Sequence, residues 1–143
     1  MKLIIHGEPV AQGRPRFRVQ KKKTSKGVID TVRVYDPAKS AKYKKHVAGV
    51  AEKCFYKPIE GALSVRIDVF RGIPSSWSKK KREKANIGEI RPTTKPDVDN
   101  YAKGVLDGLN KIAFYDDNQI VELTVTKNYS FEPRVEVEIN NVD

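Results

Sequence analysis

Cysteine is almost absent from this sequence of 143 residues, and so are long apolar runs. The single cysteine, Cys54, excludes an internal disulfide and a zinc site built from thiolates. No apolar run approaches the roughly 20 residues that span a bilayer. The apolar stretch before His6 is too short for a signal peptide. We therefore expect a cytoplasmic protein that has no membrane partner.

Nucleotide-binding signatures are missing as well. The chain has neither the G-x-x-x-x-G-K-[ST] phosphate loop nor a glycine-rich turn between a strand and a helix. No small-molecule cofactor is therefore expected. The length suits one domain, residues 1–143, and a hydrophobic fraction of 38% is enough for a core.

Positive charge is the abundant feature. The net charge is +10, and residues 1–60 hold 15 Lys and Arg against 5 Asp and Glu, whereas the rest holds 13 of each. Such an excess favours nucleic acid as the partner, although a basic surface that only aids solubility is the plainer alternative. Prolines and glycines argue against a helix over residues 11–33, so we predict a basic loop or loose hairpin, a mobile arm that orders on its partner. The candidate phosphate contacts are Arg14, Arg16, Arg18, Lys21, Lys22 and Lys23.

Hydrophobic periodicity predicts one α+β domain in the order β-α-β-(α)-α-β-β. We expect a mixed sheet with helices packed mainly on one face. Alternating side chains indicate strands over residues 2–6, 62–70, 119–128 and 133–140. Spacings of three and four indicate helices over about 36–55, 75–86 and 98–112.

Two helices also have specific predicted features. The first should be capped by Asp36, with Pro37 at its first helical position. Its buried stripe should consist of Tyr43, Val47, Val50 and Cys54. The second, short and basic, should be capped by Ser76 or Ser78.

The stretch from Lys95 to Lys103, KPDVDNYAK, contains the main candidate site. Pro96 disfavours helical geometry at the residue before it, so a helix should begin with Asp97 and Asp99 at its mouth. Two carboxylates there can face one hard cation such as magnesium, which keeps several waters and leaves room for a phosphate oxygen. Lys103 lies one turn after Asp99, where an ammonium group can stabilise charge on a phosphate.

Ordinary structural roles compete with this interpretation. An aspartate at a helix start is a common cap, and Asp99 with Lys103 matches a helical ion pair worth roughly 0.2–0.5 kcal/mol. A second acidic pair, Asp116-Asp117, is followed by Asn118 and is typical of a turn. A metal site, however, needs ligands from more than one segment, and Asp117 would supply a third carboxylate.

Together these motifs resemble the RusA-type Holliday-junction resolvases of bacteria and their prophages. The motifs are KPDVDN at residues 95–100, the lysine at 103, LDGLN at 106–110 and YDDNQI at 115–120. At the front of the chain, GEP at 7–9 and GRPR at 13–16 resemble the phage branch of that family. The likeness spans nearly the whole chain.

The resemblance implies a homodimer that binds four-way DNA junctions and nicks two strands symmetrically, using magnesium or manganese, in DNA recombination and repair. The essential residues that it implies are Asp97, Asp99, Lys103 and Asp117, of which the three aspartates hold the metal. Asn100 and Asp116 are accessory candidates. The best-known members have an arginine run before the first aspartate, where this chain has Lys95-Pro96, and we expect Lys95 to contact DNA.

Two questions stay open. A helix of about 14 residues is roughly 21 Å long, which puts Asp99 and Asp117 beyond opposite ends. The following chain could return about 25 Å if extended, or Asp117 could complete the site of a partner subunit. Apolar candidates for the subunit contact are Trp77, Phe114, Tyr115 and Ile120, which also suit a core. The activity has two rivals: a phage DNA-binding module that does not cut, and a metal-dependent nuclease for flaps or single strands.

Overall fold

The computed structural model describes residues 1–14 and 16–142, and the side chain of Arg16, a predicted phosphate contact, lies outside the described part. The strands are β1 (Lys2–His6), β2 (Arg16–Thr24), β3 (Gly27–Tyr35), β4 (Leu63–Gly72), β5 (Ile120–Ser130) and β6 (Arg134–Asn141). The helices are α1 (Ala38–Cys54), α2 (Lys79–Asn86) and α3 (Val98–Leu109). None of the helices in this part of the chain is long and apolar enough to cross a membrane.

Four strands form a mixed sheet in the order β1-β6-β4-β5. β6 pairs antiparallel with both β1 and β4, whereas β4 and β5 are parallel. A parallel pair needs a crossover connection, and residues 73–119 supply it through α2 and α3. The start of α3 therefore lies where β4 and β5 end, and the candidate acids at 97 and 99 lie there with it.

Side-chain alternation separates the two faces of the sheet. Leu63, Val65, Ile67 and Val69 of β4 are each no more than 1% exposed, as their alternation predicts. The core cluster joins them to apolar side chains of β1, β6, α1 and α3. The opposite face carries polar side chains such as Asp68, which accepts a 2.6 Å hydrogen bond from Thr126. The predicted α+β class, with a mixed sheet and helices packed mainly on one face, is confirmed.

The start and the stripe of α1 differ from the prediction. Asp36 does not cap the helix, because the N-cap position is Pro37. The Asp36 carboxylate instead pairs with Lys44 at 3.0 Å and accepts a 2.6 Å hydrogen bond from Gln12. The buried residues are Ser40, Tyr43, Val47 and Ala51, and Cys54 is exposed. Phe55, just past the helix, is 8% exposed and fills the core at this end.

The second helix is shorter than predicted, but one of its two predicted caps is confirmed. It begins at Lys79, and the Ser78 hydroxyl accepts a 3.2 Å hydrogen bond from the N–H of Lys81. Trp77 packs edge-on against Tyr129 of β5, with ring centroids 5.3 Å apart. This contact docks α2 at the end of β5.

Close packing of α1 on α3 depends on Gly108. A Cβ atom at this position would lie 2.7 Å from the Cβ of Val47 and 3.0 Å from the carbonyl oxygen of Lys44. Gly104, one turn earlier, faces the backbone of residues 10–12 at 3.4–4.0 Å. Two glycines on one face of α3 thus let α1 and the segment after β1 approach the helix closely.

The basic segment forms a regular β-hairpin, so of the two predicted forms, a loop or a loose hairpin, the structure has the hairpin. β2 and β3 pair antiparallel over nine residues each. At its base, Asp36 is bound by Lys44, which also reaches Asp107 of α3 at 3.3 Å. Partial burial raises the pKa of Asp36, but the hydrogen bonds from Lys44 and Gln12 outweigh it and hold the pKa below its ordinary value.

Candidate active site

The third helix begins one residue after Asp97, as predicted. Lys95-Pro96 is a cis peptide bond, and Asp97 occupies the N-cap position with an extended backbone. Its exposed carboxylate accepts no capping hydrogen bond. The capping interpretation is therefore wrong for this residue, and the carboxylate oxygens are open to a ligand.

Asp99 and Lys103 are exposed on successive turns of α3. Among the described residues, the ion pairs within 4.0 Å do not include one between these two side chains. The alternative that they form an ordinary helical ion pair is therefore not what the structure has. Both side chains face solvent.

Two cations of the sheet hold the segment that precedes α3. Arg71, at the end of β4, donates to the carbonyl and the hydroxyl of Thr94 at 3.3 and 3.4 Å. Lys127 of β5 donates to the carbonyls of Thr94 and Pro96 at 3.0 and 3.1 Å. Neither cation was predicted, because a single charged residue on an alternating strand is typical of a solvated face. These bonds fix the place from which Asp97 projects.

A cavity of about 850 Å³ opens between the start of α3, the segment after β1 and the start of α1. Its charged lining residues are Glu8, Arg14, Lys39, Lys95 and Asp97. The predicted Asn100 and the buried Tyr101 also line it. Burial raises the pKa of Tyr101, so its phenol remains a hydrogen-bond donor at neutral pH. The cavity thus combines carboxylates suited to a cation with cations suited to a phosphate.

Glu8 is a cavity residue to which the sequence assigned no role. Its carboxylate oxygens accept hydrogen bonds from the N–H of Gly72 at 3.1 and 3.2 Å. A Cβ atom on Gly72 would lie 2.8 Å from one of those oxygens, so the glycine admits the carboxylate to the end of β4. The only signal in the sequence was the GEP motif at residues 7–9.

The second acidic pair divides into two roles. Asp116 accepts a 2.9 Å hydrogen bond from the N–H of Asn118, and the Gln119 side chain accepts one from the N–H of Asp116, which completes a capping box. The Asn118 N–H, with smaller contributions from Asp117 and Lys111, holds the pKa of Asp116 below its ordinary value. Asp117 is exposed at the start of a short 3-10 helix. The turn interpretation is therefore confirmed for Asp116, and Asp117 is the better candidate ligand.

One chain does not bring Asp117 to Asp97 and Asp99. Because Lys127 of β5 donates to the carbonyl of Pro96, the start of α3 lies beside Lys127. Asp117 lies just before Ile120, the first residue of the same strand. The seven steps from Ile120 to Lys127 span about 23 Å. Across residues 1–14 and 16–142, no three His, Cys, Asp or Glu side chains are grouped as ligands for one ion.

The connection from α3 to β5 stays at the far end of the sheet. Gln119 donates to the carbonyls of Ile59 and Gly61 at 2.9 Å, just before β4 begins. Phe114 is fully buried, so this candidate for a subunit contact is a core residue, whereas Tyr115 is 47% exposed. The connection therefore does not make the extended return that a site within one chain would require.

Four further predicted phosphate contacts, Arg18, Lys21, Lys22 and Lys23, lie on the hairpin and are exposed. Successive side chains of a strand point to opposite faces. Arg18 and Lys22 therefore share one face of β2, and Lys21 and Lys23 share the other. Arg14 and Lys95, by contrast, lie on the cavity beside Asp97.

Comparison with known proteins links the chain to a nuclease family and to a bacterial relative. The family model described as endodeoxyribonuclease RusA matches residues 6–140, a range that includes both acidic segments. YqaN of Bacillus subtilis (strain 168), which is described as an uncharacterized protein, is 50% identical over 147 residues. That alignment covers 99% of this chain and 96% of YqaN.

Proposed function

Because this chain belongs to the RusA family of endodeoxyribonucleases, we propose that it resolves four-way DNA junctions by magnesium-dependent hydrolysis of phosphodiester bonds. Asp97, Asp99 and Asp117 would hold the ion. A homodimer would place two symmetric nicks and so separate the junction into duplexes during recombination or repair. Manganese would substitute for magnesium, since both ions suit carboxylate and water ligands.

The observation that supports this proposal best is the local surroundings of the first two aspartates. Asp97 accepts no capping bond, and the described ion pairs do not join Asp99 to Lys103. Both carboxylates are exposed, and that of Asp97 lines a cavity that also presents cations. A carboxylate without a local structural partner keeps its oxygens available for a hard cation.

The donor set fits magnesium, because it consists of exposed carboxylates with room for water. Bound there, the ion would lower the pKa of a bound water and polarise the phosphate. Lys103 would stabilise the negative charge that develops on the phosphate oxygens. Arg14 and Lys95, on the cavity, would position the DNA backbone without selecting its sequence.

We further propose that Asp117 completes the site of the partner subunit. Support comes from the separation of about 23 Å along β5 within one chain. Support also comes from β5 itself, which is an edge strand of the sheet with Val121 and Leu123 61% and 46% exposed. Edges with apolar side chains are surfaces that proteins usually cover. If a second copy packs on this edge, Asp117, which lies just before β5, would come close to that copy.

Cleavage of a synthetic four-way junction tests the nuclease assignment. Wild type and Asp97→Asn are compared on the junction and on linear duplex, each with magnesium or EDTA. We expect paired symmetric nicks that need both the metal and Asp97. The variant should bind DNA at least as tightly as wild type, because it removes a negative charge near the phosphate. Binding without cutting in any metal would leave a DNA-binding module, and cutting of flaps but not junctions would reassign the substrate.

A further inference from the structure

The two faces of the β2–β3 hairpin differ in chemistry. In the register, Arg18 stands opposite Arg33, and Gln20 stands opposite Thr31. Tyr35 and Lys22 lie on this same face, which is polar except for Ile29, opposite Lys22 and 48% exposed. The other face carries Phe17, Val19, Val28, Val32 and Val34, together with Lys21, Lys23 and Asp30. Those five apolar side chains are 58–70% exposed. An anionic ligand would therefore meet the polar face.

The pairing of Arg18 with Arg33 is unfavourable by itself. Like charges directly opposite each other destabilise an antiparallel pair. No carboxylate of the described residues lies within 4.0 Å of either guanidinium. The Arg18 guanidinium lies 5.6 Å from the centre of the Tyr35 ring, which orients it but does not neutralise it. Two facing guanidinium groups of this kind suit an external anion.

A shallow groove lies between these side chains. Its volume is about 250 Å³, and Arg18, Gln20, Arg33 and Tyr35 line it. Guanidinium groups bind phosphate oxygens through two parallel N–H bonds, and the Gln20 amide can donate a further one. We propose that this groove is a phosphodiester-binding subsite for a duplex arm of the DNA substrate, separate from the cavity beside Asp97. The subsite rests on the proposed function, since DNA is the ligand in both.

The position of the groove gives the subsite a predicted footprint. β2 begins at Arg16, two residues after Arg14 of the cavity, and the polar face continues to Lys22. The six steps from Arg16 to Lys22 cover about 20 Å, which corresponds to about six base pairs at 3.4 Å each. The hairpin would therefore lie along a duplex arm and contact its phosphates several base pairs from the cut.

Binding of a four-way junction by Asp97→Asn protein tests the subsite without cleavage. Adding Arg18→Ala and Arg33→Ala should weaken binding about tenfold and reduce the slope of log K against log salt by about 1 to 2. Hydroxyl-radical protection within about six nucleotides of the cut, on the arm that the hairpin follows, should disappear. The contrast is Lys21→Ala with Lys23→Ala, which removes the same charge from the apolar face and should cost less affinity. Lys53→Ala with Lys57→Ala controls for net charge.

Each outcome bears on one of the two proposals. Equal losses from the two hairpin pairs, or an unchanged footprint in the Arg18/Arg33 variant, would overturn the subsite. Circular dichroism checks that the hairpin variants fold, and Arg18→Lys with Arg33→Lys should recover part of the affinity through charge alone. If wild type fails to cut junctions while the footprint still depends on Arg18 and Arg33, the nuclease assignment fails and the subsite stands. If wild type cuts junctions while the footprint of the Arg18/Arg33 variant is unchanged, the nuclease assignment stands and the subsite fails.

Discussion

The two acidic segments of this chain carry the same functional group in opposite surroundings. Asp116 is held in a capping box by the N–H of Asn118 at 2.9 Å and pairs with Lys111 at 3.5 Å. Asp97 also occupies an N-cap position, yet its carboxylate accepts no capping bond. An aspartate at the start of a helix can thus be either a structural cap or a candidate metal ligand. What separates a structural carboxylate from a candidate ligand is whether local N–H groups already occupy its oxygens.

The adjacent residues Asp116 and Asp117 allow the sharpest form of this comparison. Asp117→Ala should lower junction cleavage by at least about 100-fold. Replacing a residue that only hydrogen-bonds to a metal ligand already lowers metal affinity or activity by about 10–100-fold. Asp116→Ala should retain most of the activity, since its carboxylate serves the turn. Initial nicking rates at saturating protein measure both. Similar losses in the two variants would mean that the turn, rather than the Asp117 carboxylate, is what cleavage requires.

Mixed dimers test whether the two segments meet across subunits. Asp97→Asn and Asp117→Ala proteins are each expected to be inactive. If Asp117 acts on the partner's site, each heterodimer has one intact site. A random one-to-one mixture should then recover about a quarter of the wild-type nicking, since half of the dimers are mixed and each has one of two sites. Inactivity of heterodimers verified by differential tagging would contradict a shared site.

Most of the sheet and α3 could be predicted, because their patterns follow from one buried face. The alternation of Leu63, Val65, Ile67 and Val69 and the three-four spacing of Ala102, Val105 and Leu109 both match buried residues. The hairpin could be predicted only as one of two alternatives, a loop or a loose hairpin, and its regular strands could not. Its lysine run has low strand propensity, and neither face is buried against the core. Pairing between its own two strands determines its register.

The acids of the candidate site could be identified from the sequence, but their arrangement could not. The distance between the two acidic segments depends on the parallel pairing of β4 with β5 and on the crossover between them. Glu8, Arg71 and Lys127 act through bonds to residues far away in the chain, such as Gly72, which is 64 residues from Glu8. Contacts of this kind arise only from the tertiary fold.

A smaller effect is expected from replacing Lys127, which holds the segment before Asp97. Lys127→Met keeps the length of the side chain but removes its bonds to the carbonyls of Thr94 and Pro96. Cleavage should fall about tenfold, because the residue supports a ligand without contacting DNA. Junction affinity, measured with EDTA present, should change little. A loss confined to affinity would instead make Lys127 a DNA contact.

Thermal stability gives the smallest effect and the most direct test of the contrast between Asp97 and Asp116. At about pH 7, Asp116→Ala should melt a few degrees below wild type, because it removes a helix cap. Asp97→Asn should have the same melting temperature as wild type, because it removes no capping hydrogen bond. Circular dichroism melts measure both, and a lower melting temperature for Asp97→Asn would restore a capping role to that residue.

The Asp116 effect should also depend on pH. The folded protein holds the pKa of Asp116 below the ordinary 3.8. The cap is therefore fully stabilising above about pH 4, where the carboxylate is ionised in both the folded and the unfolded chain. As the pH falls below 3.8, the unfolded chain takes up the proton first, and the stabilisation is lost as the pH passes the folded pKa. The difference in melting temperature between wild type and Asp116→Ala should accordingly shrink from about pH 4 downward. A difference that stays constant would mean that Asp116 stabilises the turn without its charge, through the geometry of the residue alone.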